Sequence, residues 1–244
     1  MAAGVGSAGG VSPLSDAGPE GGAAVAGAAS LAGAASLPDA GQPWVHLLDA
    51  RERAVYERFR FGEDRRAYVA AHGLLRQALT LRDPSTAAEA WRFATGPQGK
   101  PFLPDSPLRF NLSHCRELVA VAIATEVELG VDVETIDERH ATGDVARCVY
   151  GPAELEELAA HPIRVERFYE RWTLKEAWVK ATGEGLSDDL PGFELRIEPG
   201  RASVARGDVR PWSFRWWTPR PDVKLAVCVG SSEALEITPR WWPT

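Results

Sequence analysis

The chain has 244 residues, 45% hydrophobic and 25% charged, a globular composition sized for one large domain or two small halves around a shared core. Lys and Arg number 27 against 34 Asp and Glu, a formal charge of −7, which excludes the basic surplus of a general nucleic-acid binder. No run approaches the roughly 18 apolar residues of a spanning helix. Three scattered cysteines, Cys115, Cys148 and Cys228, form neither a disulfide framework nor a CxxC metal signature. The expectation is a soluble protein of a reducing compartment, the cytoplasm, with no membrane or nucleic-acid partner.

The first 42 residues are more than half Ala and Gly, carry only Asp16, Glu20 and Asp39 as charges, and precede any Lys or Arg. They match neither a secretory signal nor an Arg-rich transit peptide. They hold too little bulk to offset the entropy of ordering, so a disordered tail is expected over 1–42. Trp44 to Leu48 reads as a short strand. A charged helical region is expected from about Arg51 through Leu81, within which Tyr68, Ala71, Leu75, Ala78 and Leu79 fall on one face and Arg65, Arg66 and Arg76 mostly elsewhere. Asp83-Pro84 ends it. Trp91 to Ala94 reads as a strand, 96–101 as a turn-rich loop, and Leu108 to Leu112 and Val119 to Ala124 as extended runs.

A second series begins at Leu129-Gly130-Val131-Asp132-Val133-Glu134, whose alternation is that of a strand. Helices are expected around Asp144 to Val149, Ala153 to Ala160 and Val165 to Thr182, and strands at 193–197, 212–217 and 224–229. A strand, a long helix and then strands occur twice, which suggests an α+β fold of two similar halves, a pseudo-dimer. The boundaries are 43–127 and 128–230, followed by a C-terminal tail at 231–244.

Three constellations carry chemistry. Asp132 and Glu134, two apart on a strand, point their carboxylates to one face while Val131 and Val133 face a core. Such a pair repels unless a cation or proton intervenes; hard oxygen ligands favour Mg²⁺, and a solvated, salt-bridged strand face is the alternative. Glu176 and Lys180 are four apart on one face of a largely apolar helix that Gly183 and Gly185 terminate. They read either as a surface ion pair or as a carboxylate completing a metal site beside a phosphate-facing lysine. Third, Gly99-Lys100-Pro101 precedes Phe110-Asn111-Leu112-Ser113-His114 by about ten residues. A loop cation, a hydroxyl and an imidazole could meet phosphate, or simply form a turn and a strand end. No Walker loop or dinucleotide fingerprint is present, and Ser113-His114 lacks a nucleophile-elbow frame.

In this order Gly-Lys-Pro, Phe-Asn-Leu-Ser-His, Gly-Val-Asp-Val-Glu and Trp-Thr-Leu-Lys-Glu-Ala-Trp-Val-Lys-Ala-Thr-Gly-Glu-Gly-Leu resemble the Sfp-type 4′-phosphopantetheinyl transferases over residues 44 to 230. The resemblance implies two α+β halves with coenzyme A in the cleft between them. It also implies transfer of the phosphopantetheine arm to a serine of an apo acyl, polyketide or peptidyl carrier protein, releasing adenosine 3′,5′-bisphosphate. Asp132, Glu134 and Glu176 resemble the Mg²⁺ ligands, and Lys180, with Lys175 beside it, the lysine near the attacked phosphate. Gly99, Lys100 and Pro101 resemble the loop holding the adenine end, and Ser113 and His114 the contacts to the 3′-phosphate. Arg53 and Arg66 are the nearest matches to the family's basic residues there, and Cys115 departs from its usual small hydroxyl residue.

For the base that takes the serine proton, Glu154 matches a family glutamate, although a first-turn helix acid beside Pro152 is an equal reading; Glu176 or a metal-bound water could serve instead. Arg139, Arg147, Arg164, Arg167 and Arg171 are expected to present a basic patch to an acidic carrier, or to lie on a solvated helix face. Tryptophans such as Trp216-Trp217 and Trp241-Trp242 are expected in packing roles. A monomeric enzyme is expected. The rival reading is a catalytically silent module that binds carrier or coenzyme A; another Mg²⁺-dependent phosphotransferase would lack a nucleotide loop.

Overall fold

A computed structural model describes residues 44–116, 118–185 and 190–231, and the backbone alone of 30–36. The strands are β1 (Ser30–Ser36), β2 (Ala94–Thr95), β3 (Pro101–Phe102), β4 (Leu108–His114), β5 (Leu118–Thr125), β6 (Leu129–Thr135), β7 (Glu194–Glu198), β8 (Arg201–Arg206), β9 (Ser213–Arg220) and β10 (Val223–Val229). The helices are α1 (Ala50–Arg58), α2 (Gly62–Arg82), α3 (Gly143–Val149), α4 (Pro152–Ala160) and α5 (Arg164–Thr182).

Two antiparallel three-stranded sheets, ordered β1-β5-β4 and β6-β10-β9, carry the fold. The central strands β5 (LVAVAIAT) and β10 (VKLAVCV) are apolar nearly throughout because both of their faces are covered. Leu118, Ala120, Ala122 and Ala124 of β5 meet Val223, Leu225, Val227 and Val229 of β10, with Val131 and Val133 of β6, in one shared core. The opposite face of β5 packs on α2 through Leu74, Leu75 and Leu79. Ala226 and Cys228 of β10 pack on α5 through Leu174, Ala177 and Ala181. Each half is therefore a long helix on a small sheet, the α+β pair of halves expected. Trp217 joins the shared core and Trp216 the α5 core, the packing roles expected of them.

Between the halves β4 lies beside the free edge of β6. Asn111 Oδ1 accepts from the Val131 N–H at 2.8 Å and Ser113 Oγ from the Val133 N–H at 3.3 Å, so side chains satisfy edge donors that no strand pairs.

Several local expectations fail for identifiable reasons. Trp44 to Leu48 is not a strand: Val45–Leu47 is a short 3₁₀ turn, and Trp44 packs where Gly73 lacks a side chain, docking the segment on α2. The helical region expected over 51–81 is present as two helices, α1 and α2, parted at Phe59–Phe61, where Arg65 Nε donates to the Phe59 carbonyl at 3.0 Å. Trp91–Phe93 form no strand. Arg76, expected off the apolar face, is instead fully buried, donating to the carbonyls of Ala88 and Trp91 and to Glu52 Oε2. The hairpin partner of β7, β8, had no expectation of its own. Ser30–Ser36, inside the segment expected to be disordered, pairs with β5. The rest of 1–43, Leu186, Trp241-Trp242 and 232–244 lie outside the described residues.

Candidate active site

Glycine sets the distance between β6 and α5. A Cβ on Gly130 would stand 2.0 Å from the Ala177 carbonyl oxygen and 2.5 Å from the Ala181 nitrogen, so only glycine lets the helix lie this close to the strand. One consequence is that the outward face of β6 and one face of α5 meet. Lys180 Nζ lies 2.6 Å from Asp132 Oδ1 and 2.9 Å from Ser113 Oγ. Ser113 in turn donates to Asp132 Oδ1 at 3.0 Å.

The acids here are underpaired. Asp132 is 2% exposed, and its Oδ2 and Glu176 Oε1 are both buried without a hydrogen-bond partner among the described residues. Burial, then the neighbouring Asp132 charge, pushes Glu176 up to about 7 despite Lys180. The same two causes raise Glu134 to about 7, against a lowering hydrogen bond from Trp172. One ammonium thus faces three carboxylates. Among the described residues no three His, Cys, Asp or Glu side chains stand already gathered at ligand distances. The donor set nevertheless fits Mg²⁺: that ion uses one or two protein carboxylates and takes its other oxygens from water and substrate phosphate. Two buried carboxylate oxygens without partners are what it would satisfy.

Other expected site residues lie elsewhere. Glu154 is 1% exposed and accepts from the N–H groups of Gly151 and Leu195, each at 2.9 Å, from Arg171 at 2.9 Å and from Lys175 at 2.6 Å. It has no free lone pair with which to take a proton, and the first-turn reading is the one the geometry matches. Lys175, fully buried, also donates to the carbonyls of Val149 and Leu190 and turns away from Asp132. Ser113 and His114 leave β4 on opposite sides, as consecutive strand residues do. Ser113 is committed to Asp132, Lys180 and β6, whereas His114 is exposed. Although its outer edge meets solvent, neighbouring protein removes part of the ring's hydration, and this desolvation with the Lys180 and His72 charges lowers the His114 pKa, Asp64 opposing them.

Lys100 points into the protein, bonding carbonyls of Leu129, Lys180 and Ala181. With Pro101 it lines a cavity of about 310 Å³ between the halves, alongside Phe102, Phe110, Leu129 and Ala181. Gly99, at φ +86°, makes the tight turn before it. Arg66 is exposed, and Arg53, also exposed, donates to the Val45 carbonyl at 3.2 Å. The five arginines expected as a basic patch divide between interior and surface. Arg171 is buried on Glu154 and Glu157, Arg167 pairs with Glu157 and Glu170, and Arg139 and Arg147 are held by Asp137 and Asp144. Only Arg164 stays exposed with no ion pair among the described residues.

The sequence reading missed Asn111 and Gly130 as positioning residues. A glycine inside an otherwise regular strand was the available signal for the second.

Residues 128–228 match the family model of the 4′-phosphopantetheinyl transferase superfamily. The chain is 31% identical over 208 residues to the 4′-phosphopantetheinyl transferase HetI of Nostoc sp., covering 82% of this chain and 85% of that protein. It is 30% identical over 189 residues to a 4′-phosphopantetheinyl transferase of Bacillus subtilis, covering 74% and 81%. With the Synechocystis sp. relative slr0495 identity is 33% over 149 residues, covering 59% of this chain and 60% of that protein.

Proposed function

The chain belongs to the 4′-phosphopantetheinyl transferase family, and from that premise we propose which of its residues carry the reaction. It transfers the 4′-phosphopantetheine arm of coenzyme A to a serine of an apo carrier protein. The reaction uses Mg²⁺ held by Asp132, Glu134 and Glu176 and releases adenosine 3′,5′-bisphosphate. The observation that carries the metal assignment is the pair of buried, partnerless oxygens, Asp132 Oδ2 and Glu176 Oε1, beside a single lysine.

When bound, the cation neutralises negative charge that grows on the pyrophosphate as the bond to the leaving phosphate breaks. The chain's own groups do the rest. Lys180, held by Asp132 and Ser113, presents its ammonium to the leaving phosphate and stabilises or protonates it. With Glu176 Oε1 turned to the cation, the other oxygen of that carboxylate is the acceptor offered to the proton of the carrier serine. Glu154, saturated by four partners, drops out as the base. The cavity beside Lys100 and Pro101 takes the nucleotide end of coenzyme A, with His114, Arg53 and Arg66 on the side of the 3′-phosphate.

A cytoplasmic site of action is supported by free Cys115, Cys148 and Cys228, and a monomer is the proposed working form; no described helix is long and apolar enough to cross a membrane.

The test is intact-mass analysis of apo carrier proteins incubated with the enzyme, coenzyme A and Mg²⁺, with and without EDTA. A gain of one phosphopantetheine arm that EDTA abolishes is expected. Absence of any gain across fatty-acid, polyketide and peptide carriers, despite measurable coenzyme A binding, would establish a silent binding module instead.

A further inference from the structure

Helix α5 ends with carbonyl groups that have no partner inside the helix. The Val179 carbonyl is met by the Gly183 N–H and the Thr182 hydroxyl. The next two are met from the other half of the molecule: Lys100 Nζ donates to the Lys180 carbonyl at 2.6 Å and to the Ala181 carbonyl at 3.0 Å. Its third proton goes to the Leu129 carbonyl at 3.2 Å, at the first residue of β6. An ammonium has three donors, and all three are used. Among the described residues Lys100 forms no ion pair; the negative end of α5 faces its ammonium directly, and the Glu128 charge adds to that attraction.

Its backbone is equally fixed. The turn between β2 and β3 closes through Gly96 N–H to the Lys100 carbonyl at 2.9 Å and Gly99 N–H to the Gly96 carbonyl at 3.0 Å. The lysine stem lies against the left-handed Gly183, where an added Cβ would stand 3.3 Å from Lys100 Cδ. Lys180 is thus gripped at both ends: Lys100 holds its carbonyl, and Asp132 and Ser113 hold its ammonium.

We propose that Lys100 is a positioning residue, a clamp from the N-terminal half that fixes the end of α5 and the start of β6, and through them the placement of Lys180 against Asp132. This rests on the transferase reading above, and it departs from the role that the family resemblance gives Lys100, a direct hold on the adenine end.

Substitution of Lys100 by Met keeps the stem and removes all three donors. Turnover and binding are measured on wild type, K100M and K100R with an apo carrier, normalised to folded protein by circular dichroism. Calorimetry measures coenzyme A affinity. A clamp predicts that kcat of K100M falls about tenfold or more, since small misplacement of reacting groups is costly, while coenzyme A Kd and KM change less than about threefold. K100R, which keeps the charge and donors, recovers most of kcat.

A raised KM and Kd with unchanged kcat would overturn the proposal in favour of direct ligand contact. Unchanged kcat per folded molecule with a lowered Tm would overturn it in favour of stability alone. Should K100M fail to fold, K100Q, which keeps two N–H donors, is read by the same split between kcat and KM. Absence of transfer by the wild type would be a failure of the transferase reading and is seen before any variant is compared.

Discussion

Two clusters of acids and bases share α5, and they meet at neighbouring residues, Lys175 in one and Glu176 in the other. In the first, Glu154, Glu157 and Glu170 face Arg167, Arg171 and Lys175, three acids against three cations. Two backbone N–H groups complete the partners of Glu154. In the second, Asp132, Glu134 and Glu176 share one cation among the described residues, Lys180, and two of their oxygens have no partner there. Each cluster sets carboxylates against cations and has a buried centre, Glu154, Arg171 and Lys175 in the first and Asp132 in the second. The difference is satisfaction: the first holds α4, α5 and β7 together, whereas the second stores unmet demand for positive charge. Residual charge of that kind marks a site built to receive something.

The largest effect that would break this comparison is on activity. Asp132→Ala should remove transfer, by at least about 10⁴-fold or about 5.5 kcal/mol of activation free energy, with circular dichroism and thermal melt near those of wild type. An active Asp132→Ala would remove the metal assignment.

The mirror experiment is on stability. Glu154→Ala leaves buried Lys175 without a carboxylate and Arg171 with Glu157 alone among the described residues, and should cost about 3–5 kcal/mol in urea unfolding. Transfer per folded molecule should change less than about twofold.

These assignments mark how much was legible. Period-two alternation correctly put Asp132 and Glu134 on one face, and the i,i+4 spacing put Glu176 and Lys180 on another; strand and helix geometry sufficed. What sequence spacing does not encode is which faces meet. Lys175 is one residue from Glu176, but a helix turns about 100° per residue, and that step moves it from the acid cluster to Glu154. Ser113 and His114 divide across β4 for the corresponding reason in a strand. The two α+β halves were readable from the repeated order of elements, and the apolar runs of β5 and β10 from their doubly covered faces. The break between α1 and α2 and the 3₁₀ turn after Trp44 were not, since they depend on Arg65 reaching the Phe59 carbonyl and Trp44 finding Gly73.

A smaller effect sharpens the contrast through ligand binding. A cation that satisfies the second cluster stabilises the fold, by about 2.7 kcal/mol at a hundredfold excess over Kd. Mg²⁺ should raise the thermal midpoint of the wild type, EDTA should reverse it, and Asp132→Ala should show no rise. An equal rise in Asp132→Ala would place the cation elsewhere.

The smallest effect concerns a satisfied acid in the N-terminal half. Burial alone would raise Glu52, but the hydrogen bond from His72 and the Asp49 N–H, with the Arg76 charge, outweigh it and bring it down to about 2. A depressed carboxylate stabilises the fold above its unfolded value of 4.5, and that contribution is lost as pH falls from there towards 2. After allowance for solvent screening it amounts to about 1–2 kcal/mol. Urea unfolding of the wild type should weaken over that interval, and Glu52→Gln should flatten its share of the slope; an unchanged slope would show that Glu52 is not held in this way.

The neighbours Lys175 and Glu176 supply the most direct test. Intact-mass time courses of carrier modification are followed for Lys175→Met and Glu176→Gln at low temperature, each normalised to its folded fraction. The unsatisfied cluster as reaction centre predicts that Glu176→Gln loses at least about a hundredfold in rate, about 2.7 kcal/mol, and keeps its melt. Lys175→Met should melt early yet transfer at nearly the wild-type rate. A folded Lys175→Met as inactive as Glu176→Gln, or a Glu176→Gln as active as wild type, would contradict it.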